Sequence, residues 1–518
     1  MADTKTLDLF TQRWPLLAAA AATFLGASLF QYLYKWNIIS SIPLVGEEIG
    51  DAEKRRVAYI MGAKRLYEEG YKKFKDGVFR VTTTKERATI VVSPKFLGEL
   101  QKLPDDVISM RAAIQELMET KHTKLRVDDN LRIAKIVRLD LTPALVRFNP
   151  TIAEEVGESF KLELDIGDDW TEINIYAKLL RIVAMVSGRI FIGPELCHSE
   201  EYLDAAINYT IEVMTAVQDI GRLKWFRDQR APYLPSVKRL DARVEQALNF
   251  LQPVISARME AAKHDLEYEK PDDLLQWLIE SGVKAGKADA NGIARTQLGL
   301  SFAAIHTTSM TATNAFYNLA ALPEIVPELR QEIRDVLAET GGIFTSQALQ
   351  KMKKLDSFLR ETSRVDPPSF TAFHRRVLKT VTLSSGQVLP AGVMIEVPSI
   401  GVNHDNDVYP DSDKFDAFRY SRVREESAKE KGPRSVEAAA ANQFVSVHPH
   451  HLSFGYGRHA CPGRFFAANE IKMILANAIL RYDVRNVDST AGRIPNLEFG
   501  VMSTPDSSKS LLFRNVQV

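Results

Sequence analysis

The longest apolar run in the chain lies close to its N-terminus, where no charged residue occurs from Trp14 to Tyr34. A helix of this length is sufficient to cross about 30 Å of hydrocarbon. Aromatic residues stand at both ends of the run, as they do at membrane interfaces; they are Trp14, Tyr32, Tyr34 and Trp36. We predict one membrane-spanning helix over about residues 14–34, within an anchor segment of residues 1–36.

The charges that flank this run predict its orientation. Arg13 stands before the run, and the basic residues after it are Lys35, Lys54, Arg55 and Arg56. An excess of positive charge after the span places the main body in the cytosol. We expect a single-pass protein of the endoplasmic reticulum membrane. A cleaved signal peptide is the alternative, but the apolar run is longer than the core of a typical signal peptide.

The remainder of the chain is dominated by helical periodicity. From about residue 96 to 365 apolar residues recur at spacings of three and four, as in Asn130–Phe148 and Pro327–Leu337. Alternating stretches predict short strands at 78–84, 88–92, 370–400, 482–487 and 498–514. The segment 422–441, rich in Glu, Lys and Ala, is expected to be a solvated excursion. We therefore predict a mainly α domain with small β-sheets over residues 37–518.

Composition narrows the function classes. Lys plus Arg and Asp plus Glu each number 66, so the formal net charge is zero and nucleic acid is disfavoured as the main partner. Only two cysteines occur, Cys197 and Cys461, which excludes a scaffold held by several disulfides. We expect Cys197 to be a partly buried free thiol. Cys461 requires a separate explanation.

The densest signal is segment 452–467, which contains Cys461. Two of its glycines, Gly455 and Gly457, permit positive backbone torsions and a close approach of the chain to a flat ligand. The segment leads into a predicted helix, Arg464–Leu480. A cysteine at a helix N-terminus is expected to have a lowered pKa and to favour the thiolate. A thiolate is the proximal ligand that a haem iron needs in order to activate dioxygen.

Two other kinds of site have partial matches in this segment. Gly455–Ala460 fits the glycine pattern of a dinucleotide-binding loop, but too few residues follow it to build such a domain. A zinc site would draw its ligands from His448, His450, His451 and Cys461. The spacing of these residues is irregular and no second cysteine is near. Both alternatives are weaker than the thiolate interpretation.

The cysteine segment resembles the haem-binding loop of the cytochrome P-450 family, whose pattern is Phe-x-x-Gly-x-Arg/His-x-Cys-x-Gly. The matching residues are Phe454, Gly457, His459, Cys461 and Gly463. The resemblance implies the cytochrome P-450 fold, with haem b between a long central helix and this loop. It also implies that Cys461 is the axial ligand of the iron and that His459 lies near a haem propionate.

A second motif with the right order in the chain is Glu361-x-x-Arg364, followed by two prolines. Residues three apart share a helical face, but alone such a pair is most often a solvated ion pair. In this setting it resembles the Glu-x-x-Arg helix of the family, and segment 404–420 resembles the family's meander, which supplies Arg419. The resemblance implies a buried structural ion network of Glu361, Arg364 and Arg419.

The predicted long helix, about Thr296–Leu319, resembles the family helix that crosses the distal face of the haem. By position Thr307 matches the threonine that helps to deliver protons, assisted by Thr308. Ala304 stands where the family has glycine, and His306 stands where it has an acid. Histidine can relay protons near neutral pH, so His306 is a further catalytic candidate. A threonine-rich helix also has a plain alternative, in which the hydroxyls bond to backbone carbonyls.

Weaker matches suggest further residues around the haem and its substrate. Arg138 and Arg376 are candidate partners of the haem propionates, although the tryptophan that precedes the first arginine in the family is missing. The resemblance places the substrate pocket at Ile305, Phe370, Thr371, Ala372, Phe373, Val501 and Met502. For these apolar residues, ordinary core packing is the alternative.

Two surface segments have expected partners. Arg458, Arg464 and Lys472 are expected on a face that docks a reductase. The segment Gly221–Arg227 mixes basic and aromatic residues and is expected to touch the membrane near a substrate entrance.

The resemblance implies a haem-thiolate monooxygenase that inserts one oxygen atom of dioxygen into a hydrophobic small molecule. Electrons would come from NADPH through a membrane-bound cytochrome P-450 reductase. The Ala-x-His-Thr-Thr stretch is similar to that of fungal secondary-metabolite members such as ent-kaurene oxidase-like enzymes, which implies a terpenoid-like substrate. Two alternatives stay open: a haem-thiolate isomerase or dehydratase that does not use dioxygen, and a non-enzymatic haem-binding sensor.

Overall fold

The computed structural model describes residues 3–85, 87–126, 133–223, 226–265, 267–286, 289–429, 432–490 and 492–517. Helices up to residue 264 are α1 (Asp3–Ser41), α2 (Ala52–Lys73), α3 (Leu97–Leu100), α4 (Met110–Leu117), α5 (Thr120–Thr123), a π-helix (Val137–Leu141), α6 (Thr142–Glu163), α7 (Ile175–Phe191), α8 (Glu200–Gly221), α9 (Arg227–Arg230) and α10 (Pro235–His264). Later helices are α11 (Leu274–Lys284), α12 (Ala290–Ala321), α13 (Val326–Glu339), α14 (Ser346–Lys351), α15 (Lys353–Val365), α16 (Ser399–Asn403), α17 (Arg419–Lys429), α18 (Pro433–Ala441) and α19 (Arg464–Arg481).

The strands are short and are distributed along the domain. They are β1 (Val78–Val81), β2 (Thr89–Val92), β3 (Ile108–Ser109), β4 (Thr171–Ile173), β5 (Ala372–Val377), β6 (Val381–Thr382), β7 (Val388–Leu389), β8 (Met394–Val397), β9 (Tyr482–Asn486), β10 (Asn496–Phe499), β11 (Met502–Pro505) and β12 (Leu511–Asn515). The largest sheet has the order β1-β2-β8-β5-β3, with β2 parallel to β8 and the other pairs antiparallel. Smaller sheets are β4-β12-β9, β10-β11 and β6-β7.

Helix α12 is the central element of the core. It begins where the Asp289 carboxylate accepts hydrogen bonds from the amides of Asn291 and Gly292. Along its length it packs against α7, α8, α10, α15 and α19. A helix surrounded in this way buries residues on nearly every face, and α12 lacks the polar outer face of a surface helix. Any exposed residue in its middle must therefore border an internal space.

The N-terminal helix α1 differs from the other described helices because its apolar side chains from Leu16 to Tyr34 are exposed. Within the described residues, one helix is long and apolar enough to cross a membrane, Leu16–Ser41, and none of its window is buried. The helix continues beyond the predicted 14–34 because its end docks on the domain: Ile39 in the last turn and Ile42 just after the helix pack against the large sheet. The following backbone is bonded to β1, since the Val45 amide donates to the Arg80 carbonyl oxygen at 3.0 Å.

The fold agrees with the predicted class, a helix-rich body with small sheets at its margins. The long helix predicted at Thr296–Leu319 starts earlier, at Ala290, because Asp289 caps it. The segment expected to be a solvated excursion contains two helices, α17 and α18. Residues 130–132 of the predicted helix Asn130–Phe148, and Lys224 and Trp225 of the predicted membrane-contact segment, lie outside the described residues.

Candidate active site

The cysteine loop is a compact turn fixed by its own backbone. The Cys461 amide donates to the Phe454 carbonyl oxygen at 2.8 Å, and the Ala460 amide donates to the Gly457 carbonyl oxygen at 3.0 Å. Gly455 and Gly457 have φ of 73° and 69°, in the left-handed region that favours glycine. A Cβ on Gly457 would also lie 2.8 Å from Oε1 of Gln101. These torsions agree with the prediction from the sequence.

The pKa of Cys461 is raised, whereas the position before a helix predicted a lowered pKa. Burial raises the pKa of this thiol, and it outweighs the opposing effects of the Gly463 and Arg464 amides and of the Arg464 and Arg138 guanidinium groups. The position before α19 supplies the expected stabilising amides, but the loss of hydration is larger. A thiol in this environment becomes a thiolate when a cation takes the place of its proton.

Basic groups gather beside the loop around one carboxylate. Arg458 Nη2 lies 2.7 Å from Oδ1 of Asp105, and His459 Nε2 lies 3.1 Å from the same oxygen. Burial lowers the pKa of His459, and the neighbouring Asp105 opposes this effect. Arg138 donates to the Arg458 carbonyl oxygen at 2.7 Å, which brings a further guanidinium to the loop. Two basic groups, those of Arg458 and His459, thus contact one acid, and Arg138 lies beside them.

The two neighbouring arginines of β5 face opposite ways, as alternate residues of a strand must. Arg375 is buried, and the Arg458 guanidinium of the cysteine loop adds to burial in lowering its pKa to about 10. Arg376 lies on the other face, with Nη1 3.9 Å from Oε2 of Glu116. This geometry does not favour the sequence-based choice of Arg376 as a propionate partner. The sequence reasoning did not select Arg375, which is the buried member of this pair.

Arg375 is also unusual in having no close ion pair among the described residues, and the Asp105 carboxylate only partly offsets the loss of hydration of its guanidinium. Its Nη1 donates to the His374 carbonyl oxygen at 2.8 Å, and the guanidinium stacks over the Phe373 ring at 4.0 Å from the centroid. In the part of the chain that the structure describes, no ion pair of Arg375 is found. A buried cation without a carboxylate is costly. This residue is therefore suited to hold an anionic group of a ligand.

The arginine of the Glu-x-x-Arg motif has the opposite environment. Glu361 and Arg364 are fully buried and joined by two hydrogen bonds of 2.8 Å, Nε to Oε2 and Nη2 to Oε1. The remaining three N–H groups of Arg364 reach the carbonyl oxygens of Asn403, Ser412 and Lys414. Burial disfavours its charge, but the bond to Glu361 outweighs it and the pKa of Arg364 is raised. All five donors of this guanidinium are used.

Arg419 joins the same carboxylate. Its Nε lies 3.2 Å from Oε1 of Glu361, which also accepts the Asp416 amide at 2.9 Å. The structure therefore brings together the three residues that the resemblance placed in one ion network.

The middle of α12 presents a narrow exposed stripe. Ala303 and Thr307 are exposed, whereas Ile305, His306, Thr308 and Ser309 around them are buried. Because packed helices enclose α12, this stripe borders an internal space. The Thr307 hydroxyl donates to the Ala303 carbonyl oxygen at 2.8 Å and lies along that space. Helix α12 also contacts α19, the helix that follows the cysteine loop.

His306 and Thr308 are placed differently from Thr307. The His306 Nε2–H donates to the Ile207 carbonyl oxygen at 2.8 Å, which ties α12 to α8. Burial lowers the pKa of His306, so its ring is mainly neutral near neutral pH. This geometry does not favour a protonated His306 as a relay. Thr308 is buried on the side of α12 away from the exposed stripe.

The residues predicted to line a substrate pocket fall into two groups. Ile305 and Phe370 are almost fully buried in core clusters, as are Thr371 and Phe373 to a slightly smaller degree. Ile305 and Phe370 therefore fit the core-packing alternative better than a cavity wall. Ala372, Val501 and Met502 are half-buried and remain candidates. The Phe370 amide donates to the Val501 carbonyl oxygen at 2.8 Å, which joins the two predicted segments.

Two further expectations are corrected by the geometry. Lys472 is buried, with Nζ 2.5 Å from Oδ1 of Asp356, so it does not lie on an exposed docking face. His451 is buried and its Nε2 faces the Phe444 carbonyl oxygen at 3.3 Å. Among the described residues, the set of three side chains able to hold a metal ion lies elsewhere and does not include the histidines near Cys461. The zinc alternative is not supported.

Comparison with known proteins adds an independent finding. The profile of the Cytochrome P450 family matches residues 61–512 of this chain. The chain is 39% identical over 430 residues to the cytochrome P450 monooxygenase ATR3 of Stachybotrys chlorohalonatus, which covers 83% of this chain and 89% of that relative. It is 36% identical over 492 residues to the monooxygenase AN1598 of Emericella nidulans, with 94% and 90% covered. It is 32% identical over 507 residues to the monooxygenase braC of Annulohypoxylon truncatum, with 97% and 98% covered.

Proposed function

The chain belongs to the cytochrome P450 family and is a cytochrome P450 monooxygenase, and we propose that it oxidises a hydrophobic small molecule of fungal secondary metabolism. The observation that carries the assignment of the site is the buried, unpaired Arg375 beside a loop that presents Cys461. The three relatives compared above come from fungi, which supports a role in fungal metabolism. The terpenoid-like character of the substrate rests on the Ala-x-His-Thr-Thr stretch.

The residues present fit a haem b with a thiolate ligand. Cys461 supplies the sulfur, and a ferric or ferrous iron supplies the cation that a buried thiol requires in order to lose its proton. Arg375 and Arg458 supply cations for the two propionates, with Arg138 and His459 as additional donors. Phe454, Gly457 and Gly463 shape the turn that presents the sulfur. When bound, the haem supplies the activation of dioxygen.

The protein's own residues would organise the distal side. Ala303 leaves room beside the helix, because its side chain ends at Cβ. The Thr307 hydroxyl can rotate from the Ala303 carbonyl oxygen towards the internal space and hold a proton there. His306 would act as a positioning residue, since its bond to Ile207 holds α12 against α8. The network of Glu361, Arg364 and Arg419 would hold the core that carries the cysteine loop.

The proposed location and electron donor rest on two parts of the molecule, the N-terminal apolar helix and the basic surface beside the cysteine loop. The exposed helix Leu16–Ser41 supports a membrane anchor, with residues 1–36 as the anchor segment and 37–518 as the catalytic domain. We expect this domain in the cytosol, because basic residues follow the span. We expect the anchor in the endoplasmic reticulum membrane, as the family resemblance implies. Electrons would come from NADPH through a membrane-bound cytochrome P450 reductase that docks beside Arg458 and Arg464.

Co-expression with such a reductase tests the proposed reaction. We expect NADPH and dioxygen to be consumed together with substrate, and a product heavier by one oxygen atom in mass analysis of extracts. The matched variant Cys461→Ser should give no product. A product formed without dioxygen consumption would establish the isomerase or dehydratase alternative, and haem binding without turnover of any extract component would favour a sensor.

A further inference from the structure

A cluster of three different metal-binding side chains lies away from the cysteine loop, where α6 meets the segment between α7 and α8. Glu155 is on α6, and Cys197 and His198 precede the start of α8. One ligand atom from each residue, a carboxylate oxygen, the thiol sulfur and an imidazole nitrogen, lies within 4.8 Å of the other two. Carboxylate, thiolate and imidazole are all ligands that zinc accepts.

The three side chains are held in this arrangement by their surroundings. His198 Nε2 lies 2.8 Å from Oε1 of Glu155, and the Ser159 hydroxyl donates to the same oxygen at 3.3 Å. The Cys197 thiol is buried and directed to the Pro194 carbonyl oxygen at 3.5 Å. A hydrogen bond from Ser159 orients the carboxylate as a supporting residue does in known metal sites. Neither Glu155 nor Cys197 is directed to bulk solvent.

Charge and geometry both favour a divalent cation of the zinc class. Together the Glu155 carboxylate and a Cys197 thiolate carry the two negative charges that balance one Zn²⁺, and His198 can bind as a neutral ligand. A tetrahedral zinc needs ligand atoms a little more than 3 Å apart, so the hydrogen-bonded oxygen and nitrogen would separate by about 0.5 Å. This adjustment would fall mainly on His198, which lies in the segment before α8 and has 35% of its side chain exposed.

A metal-bound Cys197 would be a thiolate, with the cation in the place of the thiol proton. His198 has 35% of its side chain exposed, which gives an ion a path from solvent. A fourth position would be taken by water or by the Ser159 hydroxyl.

We propose that Glu155, Cys197 and His198 form a zinc-class cation site that ties α6 to the α7–α8 segment. The site does not depend on haem chemistry, and it goes beyond the proposed monooxygenase function. Its occupant would be structural, because three protein ligands of mixed type hold two packed elements of the core together.

The test uses the full-length, haem-loaded protein dialysed against Zn²⁺, with zinc and iron measured together. Because the chain has two cysteines and Cys461 is assigned to iron, Cys197 is the remaining sulfur available to zinc. We expect one zinc per haem iron and, in X-ray absorption at the zinc edge, one sulfur at about 2.3 Å. Cys197→Ser should remove the sulfur signal, and both Cys197→Ser and His198→Gln should weaken zinc binding by about tenfold or more.

The control is His264→Gln, which removes a surface histidine that faces Glu260 at 3.3 Å with no cysteine beside it. This variant should bind zinc as the wild type does. The proposal is overturned by three results: no zinc retained, zinc retained without a sulfur neighbour, or equal affinity in His198→Gln and the wild type. If Cys197→Ser does not hold haem, the half-exposed His198→Gln decides the outcome.

Discussion

Two groups of arginines lie in the core of this protein, and their charges face different surroundings. Arg364 is fully buried, and its five donors are all taken by Glu361 and by backbone carbonyl oxygens. Arg375 is 6% exposed, and among the described residues it forms no ion pair, although the Asp105 carboxylate partly offsets its charge. The charge of Arg364 is balanced within the protein, whereas the charge of Arg375 would need the anionic group of a ligand to balance it.

The difference separates a structural role from a binding role. A satisfied buried ion pair has no capacity left for a ligand, and removing one member leaves the other charge unpaired. A buried cation without a carboxylate has that capacity, and the depressed pKa of Arg375 shows that its charge is poorly compensated by the protein. Both regions are rich in arginine, so composition alone does not distinguish them.

The largest expected effect is a loss of stability when the ion network of Glu361, Arg364 and Arg419 is broken. Glu361→Gln leaves Arg364 and Arg419 with reduced compensation in the core, and we expect the free energy of unfolding to fall by about 3–5 kcal/mol. Equilibrium urea unfolding of the purified protein measures it. The matched control Glu48→Gln changes an exposed glutamate and should alter stability by less than about 0.5 kcal/mol. Equal effects of the two variants would contradict a buried network.

The second-largest effect is expected on haem retention when Arg375 is replaced. Arg375→Gln should weaken haem retention by about 1.5–3 kcal/mol, roughly tenfold to a hundredfold, because a hydrogen bond to a charged group is lost. The rate of haem transfer to an excess of apomyoglobin measures this loss. Arg376→Gln, on the opposite face of β5, should release haem at the wild-type rate. If Arg376→Gln had the larger effect, the choice between the two arginines would be reversed.

A smaller effect is expected on the distal side. Thr307→Val removes the hydroxyl on the exposed stripe of α12, and product formed per NADPH should fall by about tenfold, or about 1.4 kcal/mol. Thr307→Ser keeps the hydroxyl and should retain most of the coupling. Thr311→Val is the matched control, since its hydroxyl also bonds one turn back, to the Thr307 carbonyl oxygen at 2.9 Å. Normal coupling in Thr307→Val would remove this residue from proton handling.

The smallest effect is a pH dependence of stability. The folded-state pKa of His306 lies below its usual value, so the unfolded chain binds more protons between these two values. Stability from this residue is therefore complete above about pH 6.5 and is lost as the pH falls through the lowered folded-state pKa. His306→Gln can still donate to the Ile207 carbonyl oxygen and should lose less stability between pH 7.5 and about 5.5. Identical pH profiles would show that His306 does not contribute.

The sequence predicted the features that depend on local pattern. The helical periodicity, the alternating strands and the N-terminal apolar run each correspond to elements of the structure. The positive torsions of Gly455 and Gly457 were also predictable, because the dense glycines of the loop favour tight turns. These features are determined by residues close together in the chain.

The features that were missed depend on distant residues. The raised pKa of Cys461 comes from burial, which the local helix argument does not include. Arg375 was missed although the alternation of β5 puts it on the same face as Phe373 and Val377, because the burial of that face depends on neighbouring elements. Asp105, which faces both Arg458 and His459, lies in a separate segment with no recognisable motif.

The central claim is that Cys461 binds the haem iron as a thiolate, and the absorption spectrum of the reduced, carbon monoxide-bound protein tests it most directly. We predict the red-shifted Soret band of sulfur ligation in the wild type, and its absence in Cys461→Ser prepared with the same haem supplement. A wild type that binds haem without this band, or a Cys461→Ser variant that keeps it, would contradict the account.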